Sequence, residues 1–301
     1  MGSIRKFSDI QEQLRHADAM KIAVISAHDA KVLLSLRDAA VSGFIFPLLI
    51  GNTKIIAELM QAHELTFPCR VIEAETGEES ANIAAELAAE GKVSGLMKGL
   101  VSSSVLLKAV LDRRYQLRTE KLISHVTVTE VPAYNRMLII TDAAVNIAPD
   151  FDRKRRILEN AVNFAQVLGL EKPVVAVLCA VEKEQASMQA TIDAGNLRQL
   201  YSDGIITNAI ISGPLSLDLA VSSEAARIKG VVDEAAGKAD ILLVPEIETG
   251  NVLVKSLSLF AGLAQGGLVL GARVPIVLTS RSDSAESKYN SLLLCALYRR
   301  R

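Results

Sequence analysis

The sequence contains no tryptophan and few other aromatic residues, which together make up 4% of its 301 residues. Cysteine is also scarce: Cys69, Cys179 and Cys295 stand singly, and no CxxC or HExxH pattern predicts a metal site. The 33 basic and 34 acidic side chains nearly cancel, and no long basic tract occurs, which argues against a nucleic-acid partner. Alanine, valine, isoleucine and leucine dominate instead, and this composition favours helices packed on buried parallel strands.

Long apolar runs are missing as well. The longest stretch without a charged residue, Ser256 to Ala272, is too short and too rich in glycine and glutamine to span a bilayer. The first residues, MGSIRKFSDIQEQL, are polar and charged, unlike a secretory signal peptide. We therefore predict a soluble, cytoplasmic protein without a membrane partner, whose cysteines are reduced and buried.

Strand-like and helix-like segments alternate along most of the chain. The alternation begins with the segments KIAVISA, DAKVLLSLRDAAVSG, FPLLIGN, TKIIAELMQAH, RVIEAE, EESANIAAELAAEGK, VSGLMKG and SSSVLLKAVLDRRY. Each apolar run of strand length is followed by a run with helical periodicity. This succession predicts an α/β fold with a doubly wound sheet.

The pattern changes in the middle of the chain, where strand-like segments become denser. The change falls near Arg118 and reverses near Pro275. We therefore predict a first α/β domain at 1–117 and 275–301 and an inserted second α/β domain at 118–274. A cleft between the two would be the default ligand site, and a single continuous domain is the alternative.

A cluster of small polar residues follows the predicted strand VSGLMKG, where that strand turns into a helix. Glycines there would let a ligand approach the backbone, and serines and lysines could bind an anion. The candidates are Gly95, Lys98, Gly99, Ser102, Ser103, Ser104 and Lys108. The spacing of a P-loop is missing, and no GxGxxG follows a strand, which weakens a dinucleotide site. Helix capping is the alternative explanation for the serines.

Other predicted strand ends also carry polar residues. In IITDAAVN, Asp142 ends an apolar run, where it could be catalytic or form a helix cap or an Asx turn. In VPEIETGNVLVKSL we predict a turn at Gly250 and Asn251, with Lys255 in the helix that follows. Because ligands of open α/β sheets bind beyond the carboxyl ends of the strands, these positions are candidate site residues.

The stretch VPIVLTSRSDSAESKYNSLLL combines a strand, a polar turn and a helix. The spacing Asp283-x-x-Glu286 predicts a capping box for a helix that begins near Ser284. Capping does not explain Arg281, because arginine is unfavourable beside the partial positive charge of a helix amino terminus. A bound anion would remove that cost, so we predict that Arg281 and the first-turn amides hold an oxyanion such as phosphate.

These motifs, in this order, resemble those of the phosphotransacylase family, the phosphate acetyl and butyryl transferases, and most closely its butyryl branch. The segments that carry the resemblance are LMKGLVSSSVLLKAVL, ITDAAVN, SGPLSLDLAVS, ADILLVPEIETGNVLVKSL and GARVPIVLTSRSDS. The resemblance implies two α/β domains with an interdomain cleft, similar to isocitrate and isopropylmalate dehydrogenases, and a homodimer or larger homo-oligomer. It also implies the reversible reaction of acyl-CoA with phosphate to acyl phosphate and CoA, in a ternary complex without a metal or bound cofactor.

Carried over by position, the resemblance also implies roles for individual residues. Ser280, Arg281 and Asp142 are the predicted catalytic residues. The predicted substrate-binding residues are Lys98, Gly99, Ser102, Ser103, Ser104, Lys108, Asn146, Gly250, Asn251, Lys255 and Asp283. The aspartate that acetyltransferases place after the serine-arginine pair, as a base for the CoA thiol, is matched here by Ser287.

Three alternatives stay open at this point. The transferred group could be acetyl, propionyl or a branched acyl group, because one methylene changes specificity by only about 1–3 kcal/mol. An NAD(P)-dependent decarboxylating dehydrogenase of similar fold would need a set of metal-binding aspartates and an arginine cluster, which Asp142 and Asp218 alone do not supply. A non-catalytic acyl-CoA-binding protein would bind CoA without releasing free thiol.

Overall fold

The structure, a computed structural model, describes residues 4–300, so residues 1–3 and 301 of the predicted first domain lie outside it. The α-helices of the described residues are α1 (Phe7–Leu14), α2 (Ala30–Val41), α3 (Thr53–Ala62), α4 (Gly77–Ala89), α5 (Ser103–Leu111), α6 (Phe151–Val167), α7 (Gln189–Ser202), α8 (Leu217–Val221), α9 (Ser223–Ile228), α10 (Ile247–Leu259) and α11 (Ala285–Arg299). The strands are β1 (Met20–Ile25), β2 (Ile45–Gly51), β3 (Arg70–Glu73), β4 (Gly95–Lys98), β5 (Ser124–Val131), β6 (Arg136–Thr141), β7 (Val174–Leu178), β8 (Ile210–Leu215), β9 (Ile241–Leu243), β10 (Gln265–Leu270) and β11 (Ile276–Val277). The predicted α/β class is confirmed.

The chain folds into two compact units. Among the described residues, unit I contains Phe7–Ile123 and residues 264–300, and unit II contains Ser124–Leu263 and residues 4–6. The sequence predicts an inserted domain at 118–274, and the residues around these two predicted boundaries, 117–119 and 271–273, pair with each other inside unit I. Thr119 Oγ1 donates to the Gly271 carbonyl at 2.6 Å, and Arg273 N donates to the Leu117 carbonyl at 2.9 Å. These bonds attach the strand β10 to unit I.

The sheet of unit I has the strand order β3-β2-β1-β4-β11-β10. All its neighbours run parallel except β10, which is antiparallel to β11. Residues 22–25 of β1 are fully buried, as expected for a strand covered by helices on both faces. The chain order reverses between β1 and β4, so the carboxyl ends of β1, β4 and β11 meet at a topological switch point, where open α/β sheets bind ligands.

The sheet of unit II has the order β5-β6-β9-β7-β8. The strands β5 and β6 form an antiparallel pair, and the others run parallel. The register sets Thr141, the last residue of β6, beside Leu243, the last residue of β9. The loops that follow β6 and β9 therefore leave the sheet side by side.

Several helices begin at polar residues that satisfy free backbone amides. The side chains of Asp29, Asn52, Thr76, Ser102, Asp150 and Ser284 each accept a hydrogen bond from the amide three residues later. The polar clusters at the strand ends thus start helices as well as line the sheet edge. Within residues 4–300, no helix is long and apolar enough to cross a membrane.

Candidate active site

Lys98 ends the strand β4 and lies buried at the switch point of unit I, with 6% of its surface exposed. Its ammonium donates to the Gly99 and Val101 carbonyls, both at 3.3 Å. Burial lowers the pKa of Lys98, and the nearby charges of Lys288 and Arg281 lower it further. The lysine is therefore a desolvated cation beside two other cations.

The residue after Lys98 is Gly99, which lies where the turn after β4 packs directly against the end of β1. Its amide donates to the Ile25 carbonyl at 2.8 Å, and the next amide donates to the Ser26 carbonyl at 2.8 Å. A Cβ atom at Gly99 would overlap the Ser26 carbonyl oxygen and lie 2.6 Å from that of Ile25. Glycine is thus required for backbone packing that holds Lys98 at the strand end.

The three serines after this turn begin α5. Ser102 Oγ accepts from the Val105 amide at 3.3 Å and lies 2.9 Å from Ser104 Oγ, so the capping explanation is confirmed for Ser102. Ser103 is the first residue of the helix. Lys108 is exposed and pairs with Glu78 at 3.6 Å, an exposed ion pair of small energetic value. Its substrate-binding role stays a prediction.

A tight turn at Ser280–Asp283 follows the strand β11. The Ser280 amide donates to Asp283 Oδ2 at 2.7 Å, and the Asp283 amide donates back to the Ser280 carbonyl at 3.2 Å. The predicted capping box at Asp283 is therefore wrong, because that carboxylate closes the turn. Ser284 caps α11 instead, and its Oγ accepts from the Ser287 amide at 3.0 Å.

Lys288, to which none of the sequence motifs points, holds this turn from its buried side. It is 1% exposed, and its ammonium donates to the Ser280 carbonyl at 2.8 Å and to the Asp283 carbonyl at 3.3 Å. Burial is the main cause that lowers the pKa of Lys288. Its position could have been noticed from the sequence, because Lys288, Leu292 and Cys295 follow the helical spacing of a buried face.

Unit I therefore places three cationic side chains, Lys98, Arg281 and Lys288, about one switch point. Arg281 is exposed on the turn, whereas the two lysines are buried. Among the described residues none of the three forms an ion pair with a carboxylate, although Asp283 and Asp29 lie near enough to raise the pKa of both lysines. Buried cations of like sign repel, so this arrangement favours the binding of an anion.

In unit II, Asp142 is buried at the end of β6 and its carboxylate is fully engaged. Oδ1 accepts from the amides of Ala144 and Val145, both at 2.9 Å, which confirms the Asx turn. Oδ2 accepts from the His125 amide at 3.0 Å and from Asn146 Nδ2 at 2.7 Å. The peptide bond before Asp142 is cis. These contacts make Asp142 the residue that fixes the loop carrying Asn146.

Gly250 and Asn251 lie beside that loop, but they do not form the predicted turn. Both are inside α10, which begins at Ile247, so that prediction is wrong. A Cβ at Gly250 would lie 3.0 Å from Ala143 Cα, which shows that glycine is needed for close packing of the helix on the loop. Asn251 Nδ2 donates to the Ala143 carbonyl at 3.4 Å, and Lys255 is exposed one turn further along α10.

The described residues also contain side chains of the kinds that could bind a metal ion. Across residues 4–300, no group of three or more histidine, cysteine, aspartate or glutamate side chains lies where it could hold a metal ion.

Replacing Asp142 with asparagine is expected to loosen the loop of unit II. The asparagine amide group would face at least one of the N–H donors, and a buried donor without an acceptor costs about 1–3 kcal/mol. We expect this loss in the free energy of unfolding by urea titration. Asp150→Asn is a matched control in the same unit, because Asp150 is an exposed helix cap and asparagine caps equally well. Equal stability of the two variants would contradict the assigned role of Asp142.

Comparisons with known proteins identify the family of the chain. Residues 70–296 match the family model described as phosphate acetyl/butaryl transferase. The chain is 44% identical to a probable phosphate butyryltransferase of Bacillus subtilis (strain 168), with 91% of each chain covered. It is 40% identical to a phosphate acetyltransferase of Rhizobium meliloti, with 94% of this chain and 90% of that protein covered.

A solved structure is similar over nearly the whole chain. The crystal structure of a branched-chain phosphotransacylase from Enterococcus faecalis V583 superposes with a TM-score of 0.83 at 33% identity, covering 93% of this chain and 99% of that one. The family match and the full-length relatives point to the same group of enzymes. The chain therefore belongs to the phosphate acetyl/butyryl transferase family of acyltransferases.

Proposed function

We propose that this enzyme transfers a butyryl group, or another short or branched acyl group, between CoA and inorganic phosphate. The observation that carries the proposal is the set of Lys98, Arg281 and Lys288 in unit I, which has no carboxylate ion-pair partner among the described residues. A phosphate dianion is the reactant of this family that would neutralise such a set. The proposal assigns phosphate to the switch point of unit I.

Phosphate would react there without a covalent enzyme intermediate. A phosphate oxygen attacks the thioester carbonyl carbon, a C–O bond forms, and the carbonyl oxygen becomes an oxyanion. When the oxyanion collapses, the C–S bond breaks and the CoA sulfur leaves with the electron pair. The proton of HPO₄²⁻ ends on that sulfur, so the products are the acyl phosphate dianion and the CoA thiol. Holding both reactants in line supplies about 7–11 kcal/mol of the barrier reduction.

Arg281 and Ser280 have the central roles in this scheme. The planar guanidinium of Arg281 can bind two phosphate oxygens, and it is exposed to receive them. Ser280 Oγ, which lies 3.0 Å from Ser282 Oγ, is available on the exposed side of the turn to donate to phosphate or the oxyanion.

No carboxylate base is needed at Ser287. Its hydroxyl accepts from Ser284 Oγ at 3.1 Å as part of the helix cap, and a serine hydroxyl is not basic at neutral pH. In the reverse direction the CoA thiol, with a pKa of about 8.5, needs only modest help to ionise. The nearby cations of unit I favour the thiolate.

For unit II we propose that the fixed loop presents Asn146 to the acyl-CoA, and that the exposed Lys255 contacts its phosphate groups. Lys108, Ser103 and Ser104 keep their predicted contacts with an anionic substrate. The interdomain cleft, the similarity to isocitrate dehydrogenase, the homo-oligomer, the cytoplasmic location and the lack of a bound cofactor stay predictions.

The test is release of free CoA, followed with a thiol reagent, from a panel of acetyl-, propionyl-, butyryl-, isobutyryl- and isovaleryl-CoA. We expect release to require phosphate and to be at least about tenfold faster with butyryl- or branched acyl-CoA than with acetyl-CoA, as one or two methylenes allow. Fastest release from acetyl-CoA would favour an acetyltransferase, the name of the Rhizobium meliloti relative. Binding of CoA without any release would contradict the proposed function, as would reduction of NAD in the presence of a 2-hydroxy diacid.

A further inference from the structure

Lys288 joins the two ends of the turn that carries Arg281. One ammonium group donates to the carbonyls of Ser280 and Asp283, at 2.8 and 3.3 Å. Arg281 lies between these two residues, so the direction of its side chain depends on the shape of the turn. Because Lys288 is 1% exposed, its own ammonium lies beneath the turn rather than on the surface that receives substrate.

A second feature distinguishes Lys288 from an ordinary helix lysine. It lies on the buried face of α11, where Leu292 and Cys295 follow it and are both fully buried. Burial of an ammonium costs free energy unless it is compensated, and the charged groups around it are Asp283, Asp29, Lys31 and Lys98. A well-packed apolar residue would fill the space at lower cost. Unlike an apolar residue, the lysine donates two hydrogen bonds to the turn.

We propose that Lys288 is a positioning residue for acyl transfer, which acts by holding the Ser280–Asp283 turn in the shape that aims Arg281 at phosphate. The inference rests on the proposed function, and it gives Lys288, counted above only as one charge of the cationic set, a specific task through the turn. Asp283 shares this task, since its carboxylate accepts from the Ser280 amide at 2.7 Å. The lysine and the aspartate thus close the turn from opposite sides.

The experiment compares steady-state kinetics of Lys288→Met with those of a matched control in the same helix, Ser291→Ala. Ser291 is fully buried one turn further along α11, and its Oγ donates to the Ser287 carbonyl and accepts from the Gly267 amide. Both substitutions remove two buried hydrogen bonds, but only the first touches the turn. If Lys288→Met does not fold, Lys288→Gln keeps donor groups without the charge and replaces it.

For Lys288→Met we expect kcat/KM for phosphate to fall about 10²-fold, the size of effect that a misplacement of about 1 Å produces. The KM for butyryl-CoA should change less than about twofold, because the substitution leaves the binding of that substrate unchanged. Ser291→Ala should keep both values within about twofold of the wild type. Equal losses in the two variants would show a general stability effect and overturn the inference.

A double-mutant cycle tests whether Lys288 acts through Arg281. If it does, Arg281→Ala with Lys288→Met should be no slower than Arg281→Ala alone, since residues that act as a unit are not additive. Losses that multiply would overturn the inference while leaving the proposed function intact. A wild-type enzyme without phosphate-dependent CoA release would instead contradict the proposed function, so the two failures are distinguishable.

Discussion

Replacing Arg281 with alanine is expected to lower phosphate-dependent release of CoA from butyryl-CoA by about 10²–10³-fold, the cost of losing one electrostatic donor at a reacting oxyanion. The loss is large because no neighbouring side chain can replace the guanidinium of Arg281. Lys98 and Lys288 are buried and donate to backbone carbonyls, whereas Arg281 is exposed on the turn with a planar group suited to two phosphate oxygens. The kcat should fall and the KM for phosphate should rise.

Two further variants separate the role of this guanidinium from the role of charge alone. Arg281→Lys keeps the charge but not the bidentate geometry, so it should recover only part of the lost rate. Arg273→Ala is a matched control, because Arg273 is another exposed arginine of unit I and its guanidinium only approaches the Gln116 carbonyl at 3.5 Å. Turnover of Arg281→Ala equal to that of Arg273→Ala would remove Arg281 from the mechanism.

Replacing Lys98 with methionine is the second change with a large expected effect. We expect kcat/KM for phosphate to fall by about 10²-fold, because a desolvated cation beside the phosphate is lost. The fold should persist, since methionine fills the space of the aliphatic stem and no longer requires an ammonium to be buried. Circular dichroism melting should give a midpoint equal to or above that of the wild type. Loss of activity together with a lower midpoint would contradict this explanation.

Phosphate itself gives a second measure of the same variant. A ligand at a hundred times its Kd stabilises a folded protein by about 2.7 kcal/mol, which should raise the wild-type melting midpoint by roughly 5 °C. Lys98→Met should lose most of this rise. Lys92→Met is the control, because Lys92 is an exposed lysine of unit I that pairs with Glu90 at 2.8 Å, and it should keep the full rise.

The pH dependence of kcat/KM for phosphate follows from the lowered pKa of Lys98 in the free enzyme. Burial and the charges of Lys288 and Arg281 favour its neutral form, while Asp283 and Asp29 oppose them. Because the lysine must be cationic to bind phosphate, the rate should fall as pH rises. The fall should begin below pH of about 10.4, where an ordinary lysine loses its proton. A flat profile up to that pH would contradict the assignment.

Periodicity predicts much of this fold because the strands of unit I are short apolar runs between amphipathic helices. The strands β1, β2 and β4 appear in the segments where the sequence predicts them. The strand β10 was not predicted, because its sequence QGGLVL contains two glycines, which weaken β-propensity. It becomes a strand through pairing with β11, a tertiary contact that local propensity does not encode.

The site shows a similar division between local and tertiary signals. Ser102 and the Asx turn at Asp142 follow from local chemistry and were among the alternatives considered from the sequence. The sequence predicts a turn at Gly250 because glycine before asparagine is a turn signal, whereas the structure requires glycine there for close packing of α10 against Ala143. Lys288 was missed because a lysine in a helix is ordinarily solvated, and only the turn above it explains its burial.

Calorimetric titration of inorganic phosphate, at a pH where phosphate is already a dianion, tests most directly whether the cations of unit I form the phosphate site. The wild type should bind phosphate less tightly as the pH is raised from that value toward the range where lysines lose their protons, because burial lowers the pKa values of Lys98 and Lys288 and only their cationic forms attract the anion. The Lys98→Met variant should bind at least about tenfold more weakly, with a smaller loss of affinity at high pH. Equal affinity and an equal pH dependence in the two proteins would contradict the assignment of phosphate to these residues.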